Sequence, residues 1–290
     1  MGSDEGTLRV GLRVSGTALH TTHEVDADEL EMGADGPVRR HQVDLLLTDA
    51  TLRLDYGITQ ELDLAVVFPV RRVAIDAEFF GDTGQRLPGF ASIHHRDETI
   101  TGLGDVVVEG GLRLGDWRLR LGASLPTGDT VPDPYALGRA GERHQHVFFG
   151  GGTVQPRLGA SAQWPAGPVQ IRALAEATAA VVENAEGYRP GWRAAGEGAV
   201  AASLGLAPLV FAARLGLAHE APSTWSGTPA ENSGRTDLLP GVAVEVPVGD
   251  WTFALDAARP INLAAEGGQL EIPLVVGLTA AVRLPVKAAQ

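Results

Sequence analysis

The sequence of 290 residues contains no cysteine and has one lysine, Lys287. Without cysteine, the chain can form neither a disulfide bond nor a thiolate metal site. The 23 lysine and arginine residues are therefore 22 arginines and this lysine, against 36 acidic residues, and the formal net charge is −13. Because nucleic-acid binding requires a basic surface, we expect no nucleic-acid partner.

Long apolar segments are also missing. No run of 18 apolar residues is free of charge and proline, so we expect no transmembrane helix. The opening Met-Gly-Ser-Asp-Glu lacks the basic start and apolar middle of a secretory signal. Because the rest of the chain indicates export, we expect that a signal peptide has been removed. Gly150-Gly151-Gly152 precedes a strand rather than a helix, which excludes a phosphate-binding loop, and we expect no cofactor.

What the sequence does contain is a regular alternation of apolar and polar residues. From Thr101 to Trp164 it shows two alternating strands around the turn Gly115-Asp116, a polar loop from Pro126 to about Gly152, and a third strand. Period two with one apolar face indicates strands. Short turns at one end and long loops at the other are typical of outer-membrane barrels.

The same pattern predicts twelve strands over the whole chain, with five short and six long connections in strict alternation. Both termini then lie on the side of the short turns. The predicted strands begin near Thr7, Val43, Leu62, Asp105, Trp117, Val154, Val169, Trp192, Leu209, Val242, Trp251 and Glu271. The predicted long loops are His20 to Gln42, Ala74 to Gly104, Pro126 to Gly152, Glu183 to Pro190, Pro222 to Arg235 and Arg259 to Gln269.

We therefore predict an all-β fold. Residues 1–290 would form a single domain, a 12-stranded antiparallel up-and-down transmembrane β-barrel with short periplasmic turns and long extracellular loops. Strand seven is rich in alanine and is compatible with a helix on propensity alone. A soluble β-sandwich shows the same alternation and is the alternative fold. Aromatic residues beside the short turns favour the membrane fold, because they match an interfacial girdle: Tyr56, Trp117, Trp164, Phe211 and Trp251.

Three short motifs carry a family resemblance. They are Gly102-Leu103-Gly104-Asp105, Leu125-Pro126-Thr127-Gly128 and Gly150-Gly151-Gly152-Thr153. With the strands around them, they resemble the outer-membrane β-barrel transporters of the putative phenol-degradation meta-pathway family. The resemblance covers Tyr56 to Trp164 and implies a barrel in the bacterial outer membrane that takes up small, often aromatic, organic molecules. It offers no catalytic residues.

The inward face of the predicted barrel carries many charged residues. Those predicted to line a pore are Arg113, Arg118, Arg120, Arg157, Asp105, Glu109 and Arg53. Two interpretations remain open: a ladder of ion pairs that braces the lumen, or a narrow pore whose arginines select anions. The third external loop is predicted to form a gate or constriction, through Asp133, Tyr135, Arg139 and Arg143.

The predicted function is passive admission of small solutes, and two alternatives stay open. The first is a closed barrel with a structural or interaction role through its loops. The second is a lipid hydrolase at the rim, which needs a serine beside a rim histidine and facing lipid; Ser92 near His94 is the nearest pattern, and Ser124 lies inside the barrel. The loop histidines show no four-ligand spacing, so we predict no metal site. The expected partners are outer-membrane lipids, lipopolysaccharide and a small-molecule solute. The sequence leaves the oligomeric state open.

Overall fold

The computed structural model describes residues 4–24, 32–33, 36–88, 90, 92–93, 96–203, 208–231, 233–265 and 271–286. Within them, twelve antiparallel strands form one closed barrel. The strands are β1 Thr7–Glu24, β2 Arg40–Gly57, β3 Leu62–Phe80, β4 Val106–Leu114, β5 Trp117–Leu125, β6 Gln155–Ala166, β7 Val169–Thr178, β8 Arg193–Ser203, β9 Val210–Glu220, β10 Arg235–Val248, β11 Trp251–Ala258 and β12 Val275–Pro285.

Each strand pairs with the next along the chain, and β1 pairs with β12 to close the barrel. In that closing pair, Thr7 lies opposite Pro285 and Gly16 lies opposite Val276. The predicted fold, with an even number of strands and both chain ends on the short-turn side, is confirmed. The sandwich alternative is wrong, because the sheet closes on itself. The alanine-rich segment that begins at Val169 is a strand, since its register on both neighbouring strands is continuous.

The outer face of the barrel is apolar, as a membrane-spanning barrel requires. Every strand exposes large apolar side chains there, among them Leu12, Leu52, Phe68, Leu112, Leu121, Leu158, Ile171, Val200, Leu215, Val242, Phe253 and Leu278. Near the short turns, the ring of Trp117 lies 5.4 Å from that of Trp164, and Trp251 stacks on Phe253. Within the described residues, no helix is long and apolar enough to cross a membrane.

The first three strands are longer than the sequence predicts, so the first two long loops are shorter than predicted. β1 continues to Glu24 instead of ending near Leu19, β2 begins at Arg40, and β3 continues to Phe80 through the predicted loop. The segment Glu98–Leu103, also predicted as loop, pairs with the far end of β3. Near the last loop, Ile261–Ala265 likewise pairs with β10.

These extensions escaped prediction because the alternation changes phase. Near the short turns the outward residues are apolar, whereas beyond Arg71 the apolar residues of β3 point inward. Val73 and Phe79 are buried there, and Phe79 packs with Val38 and Leu87 in a small apolar core. Outside this part of the wall lie polar residues such as Asp76. The phase changes because loops fill the upper interior while the outer surface meets water instead of lipid.

Candidate functional site

The centre of the lumen holds a network of ion pairs around the carboxylate of Glu109. It lies 3.3 Å from Arg53, 3.4 Å from Arg120 and 3.3 Å from Arg157. Arg53 also pairs with Asp55 at 2.9 Å. The side chains of Glu109 and Asp55 are 8% and 4% exposed, so water contributes little to their solvation. Four residues that the sequence predicts to line the pore therefore meet at one point. Three guanidinium groups share the Glu109 carboxylate.

Further ion pairs join strands that are separated by one intervening strand. Arg118 on β5 pairs with Asp63 on β3. On the opposite wall, the Asp256 carboxylate accepts hydrogen bonds from Arg13 at 2.9 Å and Arg214 at 3.1 Å. These pairs tie together non-adjacent strands and thereby brace the barrel from within.

Glycine on the intervening strand makes these bridges possible. Gly111 on β4, the strand between Asp63 and Arg118, is directly opposite Asp63, and a Cβ atom there would lie 2.5 Å from an Asp63 oxygen. Gly277 lies between Arg13 and Asp256 in the same way, and a Cβ atom there would overlap the Arg13 guanidinium. Gly122 lies directly between Glu109 and Arg157. A side chain at any of these positions would occupy the space that the bridge needs.

We expect Gly122→Ala to lower the free energy of unfolding by about 1–3 kcal/mol, because overpacking strains a filled interior. A Cβ atom at Gly122 would overlap the Val108 carbonyl oxygen and lie 2.8 Å from Glu109 Cα, so backbone has to move. Gly198→Ala is the matched control, since a Cβ atom there meets nothing within 4 Å. Urea unfolding in phospholipid vesicles measures both variants. Equal stability of the two would contradict the steric argument.

Asp105 fastens the two ends of the third external loop to the barrel wall. Its carboxylate accepts a hydrogen bond from the Gly128 amide at 3.0 Å and another from the Gly151 amide at 2.7 Å. The residue is 9% exposed. It lies where the pairing of β3 changes register, between Val67 opposite Val107 and Val70 opposite Leu103. This local irregularity aims the carboxylate at the loop, as bulges often do.

The three motifs of the resemblance meet at this point. The amide of Val106, just after the first motif, donates to the Thr127 hydroxyl of the second motif at 2.8 Å. Gly128 and Gly150 are in van der Waals contact, and a Cβ atom on either would clash with the other's backbone. The motifs are far apart in the sequence but form one junction, which we call the loop junction. Glycine is required there because three backbones approach closely.

The loop itself carries one short helix, α1 Pro134–Arg139. Asp133 caps it by accepting hydrogen bonds from the amides of Tyr135 and Ala136, and Pro134 occupies the first turn. Asp and Pro are the residue types preferred at these positions. Among the residues predicted to form the constriction, Asp133 therefore shapes the loop, while Arg139 and Arg143 are exposed.

Tyr135 connects this loop to another one. Its hydroxyl donates to the Glu231 carbonyl oxygen at 2.6 Å. Burial, with the nearby carboxylates of Glu231 and Asp133, raises the pKa of the Tyr135 phenol to about 12. The phenol therefore keeps its proton, and this hydrogen bond, at any physiological pH. Phe148, Tyr188 and Trp225 pack their rings together from three loops.

Two neighbouring cavities lie near the loop end of the barrel. The first, of about 260 Å³, has the Glu109 network below it and Phe149 with Gly151 above it, and it reaches from Arg71 on β3 to Arg193 on β8. The second, of about 240 Å³, lies toward β7 to β10 and is lined by alanines and charged residues. Arg157, Thr178 and Arg193 border both cavities. We call the first one the upper chamber.

The structure brings together only part of the predicted site. Arg53, Glu109, Arg120 and Arg157 converge, whereas Arg118 pairs separately and Arg113 lies near the short-turn rim, 3.9 Å from Asp4. Their role in solute passage stays a prediction. Phe149 also borders the chamber, although it was not among the predicted site residues. The signal available in the sequence was its position directly before three glycines.

The residues of the hydrolase alternative do not face lipid in the described part of the chain. Ser92 and Ser124 are 6% and 8% exposed, and the His144 side chain is buried. The hydrolase alternative requires a serine on the lipid side of the rim, and neither Ser92 nor Ser124 is there. His94, the histidine nearest to Ser92 in the sequence, lies outside the described residues.

A closed barrel with an apolar outer band and a charged lumen defines the class of transmembrane β-barrels. No known protein family matches the sequence, and no curated protein does. Solved structures do match: the COG4313 outer membrane channel from Pseudomonas putida F1 is 13% identical, covers 98% of this chain and 97% of its own, and has a TM-score of 0.63. The P. putida toluene transporter TodX is 10% identical, with coverages of 99% and 92% and a TM-score of 0.46. The CymD monoaromatic hydrocarbon channel is 11% identical, with coverages of 97% and 89% and a TM-score of 0.47. The similarity to the COG4313 channel, at 13% identity, shows the fold alone.

Proposed function

We propose that the protein is a passive channel of the bacterial outer membrane that admits small organic solutes. The observation that carries this proposal is the pair of adjoining cavities near the loop end of the barrel, the first of which lies between the third external loop and the central ion pairs. A barrel with a purely structural role needs no such space, and small barrels are usually filled by their own side chains. The COG4313 protein of similar fold is itself described as an outer membrane channel.

The arrangement of the chain supports a location in the outer membrane. An even number of antiparallel strands, an apolar band and unequal connections at the two ends are the features of bacterial outer-membrane barrels. Because the lumen is polar and the outer face is apolar, the solvent preferences of the two faces are those of a water-filled barrel in lipid.

The ion pairs favour a second candidate, a barrel whose lumen is closed and whose loops are the functional surface. Glu109 binds cations from three strands, and Asp256 binds cations from two others. These ion pairs narrow the lumen on the path that a solute would take from the cavities toward the short turns. Passage of ions decides between the two candidates.

The test is single-channel recording of the refolded full-length chain in a planar bilayer. The proposed channel gives discrete current steps. Folded, inserted protein that carries no current would contradict the channel and support the closed barrel. Folding is checked by circular dichroism and by the difference in gel mobility between heated and unheated samples. Failure of the folded protein to associate with vesicles would contradict both candidates.

A further inference from the structure

The upper chamber has two chemically different walls. Val67 and Pro69 of β3 and Val107 of β4 form an apolar wall, and Phe149 extends it toward the loop. The rest of the lining is polar and includes two guanidinium groups at opposite ends of the chamber, that of Arg71 next to Pro69 on β3 and that of Arg193 on β8. Polar atoms form more of the chamber's surface than apolar atoms do, so a ligand with one charged group and one apolar part matches it better than a hydrocarbon does. At about 260 Å³, the chamber is smaller than the ~300–1,000 Å³ of sites for drug-sized molecules, so its ligand is small.

The carboxylates of the chamber already have partners within the protein, whereas two of its arginines are available to a ligand. Asp105 accepts from two loop amides, and Glu109 binds the guanidinium groups of the central network. Arg71 and Arg193 are engaged less tightly. Arg71 meets Asp49 through Nε at 3.0 Å, and Arg193 approaches Glu220 only to 3.8 Å, beyond normal hydrogen-bond distance.

Both of these side chains are accessible to a solute. The Arg71 and Arg193 side chains are 45% and 44% exposed, whereas those of Arg120 and Arg157 are 14% and 26% exposed. A guanidinium group has five N–H donors, so one ion pair leaves donors for a ligand. Its planar fork matches a carboxylate in two-point hydrogen bonding.

We propose that the upper chamber is a binding site for small organic carboxylates, with Arg71 and Arg193 holding the carboxylate and Val67 and Val107 packing against the apolar body. This inference deepens the proposed channel function by giving its substrate class. The site lies between the loop junction above and the Glu109 network below, so a solute held there has passed the external loops but not the central ion pairs. A single ring bearing one carboxylate fits both walls.

Benzoate is the probe, because it joins an aromatic ring to one ionised carboxylate. Benzyl alcohol keeps the ring without the charge, and acetate keeps the charge without the ring. Calorimetric titration of the refolded full-length protein measures the affinity for each. We expect benzoate to bind at least about tenfold more tightly than either partial probe, because each lacks one of the two sets of contacts.

The decisive variant is Arg71→Gln combined with Arg193→Gln, which removes both charges and keeps polar side chains. We expect benzoate affinity to fall at least about tenfold, since charge-assisted hydrogen bonds are lost. The matched control is Arg39→Gln combined with Arg86→Gln. These two arginines are exposed, pair with Asp82 and Glu78, and lie outside both cavities. The control removes the same charge and should leave benzoate affinity unchanged.

Equal affinity of the wild type and the Arg71/Arg193 variant for benzoate would overturn the assignment, as would an equal loss in the control. Conductance recordings of the same samples separate this inference from the proposed function. A wild type that conducts but does not bind benzoate overturns the site and leaves the channel. A wild type that binds benzoate but carries no current supports the site and overturns the channel.

Discussion

Replacing Asp105 with alanine is expected to raise the single-channel conductance severalfold, or to produce current steps if the wild type is silent. The substitution removes the acceptor of the Gly128 and Gly151 amides, and hydrogen bonds to a charged group contribute about 1.5–3 kcal/mol each. Without them, both ends of the third external loop detach from the barrel wall. Phe149 and Gly151, which form the upper boundary of the chamber, then leave the lumen.

The matched control is Asp129→Ala, which removes an exposed carboxylate from the same loop. Its backbone carbonyl still accepts from the Gly150 amide, so the loop junction is retained. We expect conductance close to that of the wild type. Limited proteolysis gives an independent reading, because a detached loop is cut faster. Unchanged conductance and unchanged cleavage in the Asp105 variant would show that the carboxylate does not hold the loop.

Replacing Glu109 with glutamine is expected to lower the free energy of unfolding by about 3–5 kcal/mol, because it removes the buried anion that three partly buried cations share. Arg53, Arg120 and Arg157 all lie within 3.4 Å of the Glu109 carboxylate. The lumen also gains one positive charge, so the reversal potential in a salt gradient should move toward anion selectivity. Urea unfolding in vesicles measures the first effect and bilayer recording measures the second.

Glu176→Gln is the control for charge alone. Glu176 also pairs with Arg157, at 3.2 Å, but its side chain is 47% exposed. Solvent screens this pair, so we expect a loss of less than about 1 kcal/mol. If both variants lost the same stability, the network around Glu109 would be no more than a set of ordinary surface pairs. A reversal potential that stays fixed in the Glu109 variant would place the network away from the ion path.

The sequence predicts the barrel well because lipid and the lumen impose opposite demands on the two faces. Leu12, Leu52 and Leu278 point outward and charged residues point inward, and this alternation is visible without any structure. The prediction fails where the surroundings change. Beyond Arg71 the apolar residues of β3 point inward toward loop side chains. An alternation with apolar residues on the outer face therefore no longer identifies the strand there.

The candidate site was less predictable, because its contacts depend on the closed shape. Alternation placed Glu109 and Arg157 inside, but only the closed barrel shows that they pair across Gly122. Asp105 was predicted to line the pore, and it borders the upper chamber. Its hydrogen bonds to the loop could not be predicted, since nothing in the sequence shows where the ends of a long loop return. Arg71 and Arg193 are five strands apart and border one chamber only because the barrel closes.

The glycines beneath the lumenal ion pairs make substitutions in this barrel interdependent in groups of three. Asp63, Gly111 and Arg118 form such a group on three successive strands, and Arg13, Gly277 and Asp256 form another. Exchanging acid and base within a pair conserves the contact, whereas enlarging the glycine removes it whatever the outer residues are. Effects of mutations within a group should therefore be non-additive, as for any residues in direct contact. Related sequences should covary between alternate strands wherever the strand between them keeps its glycine.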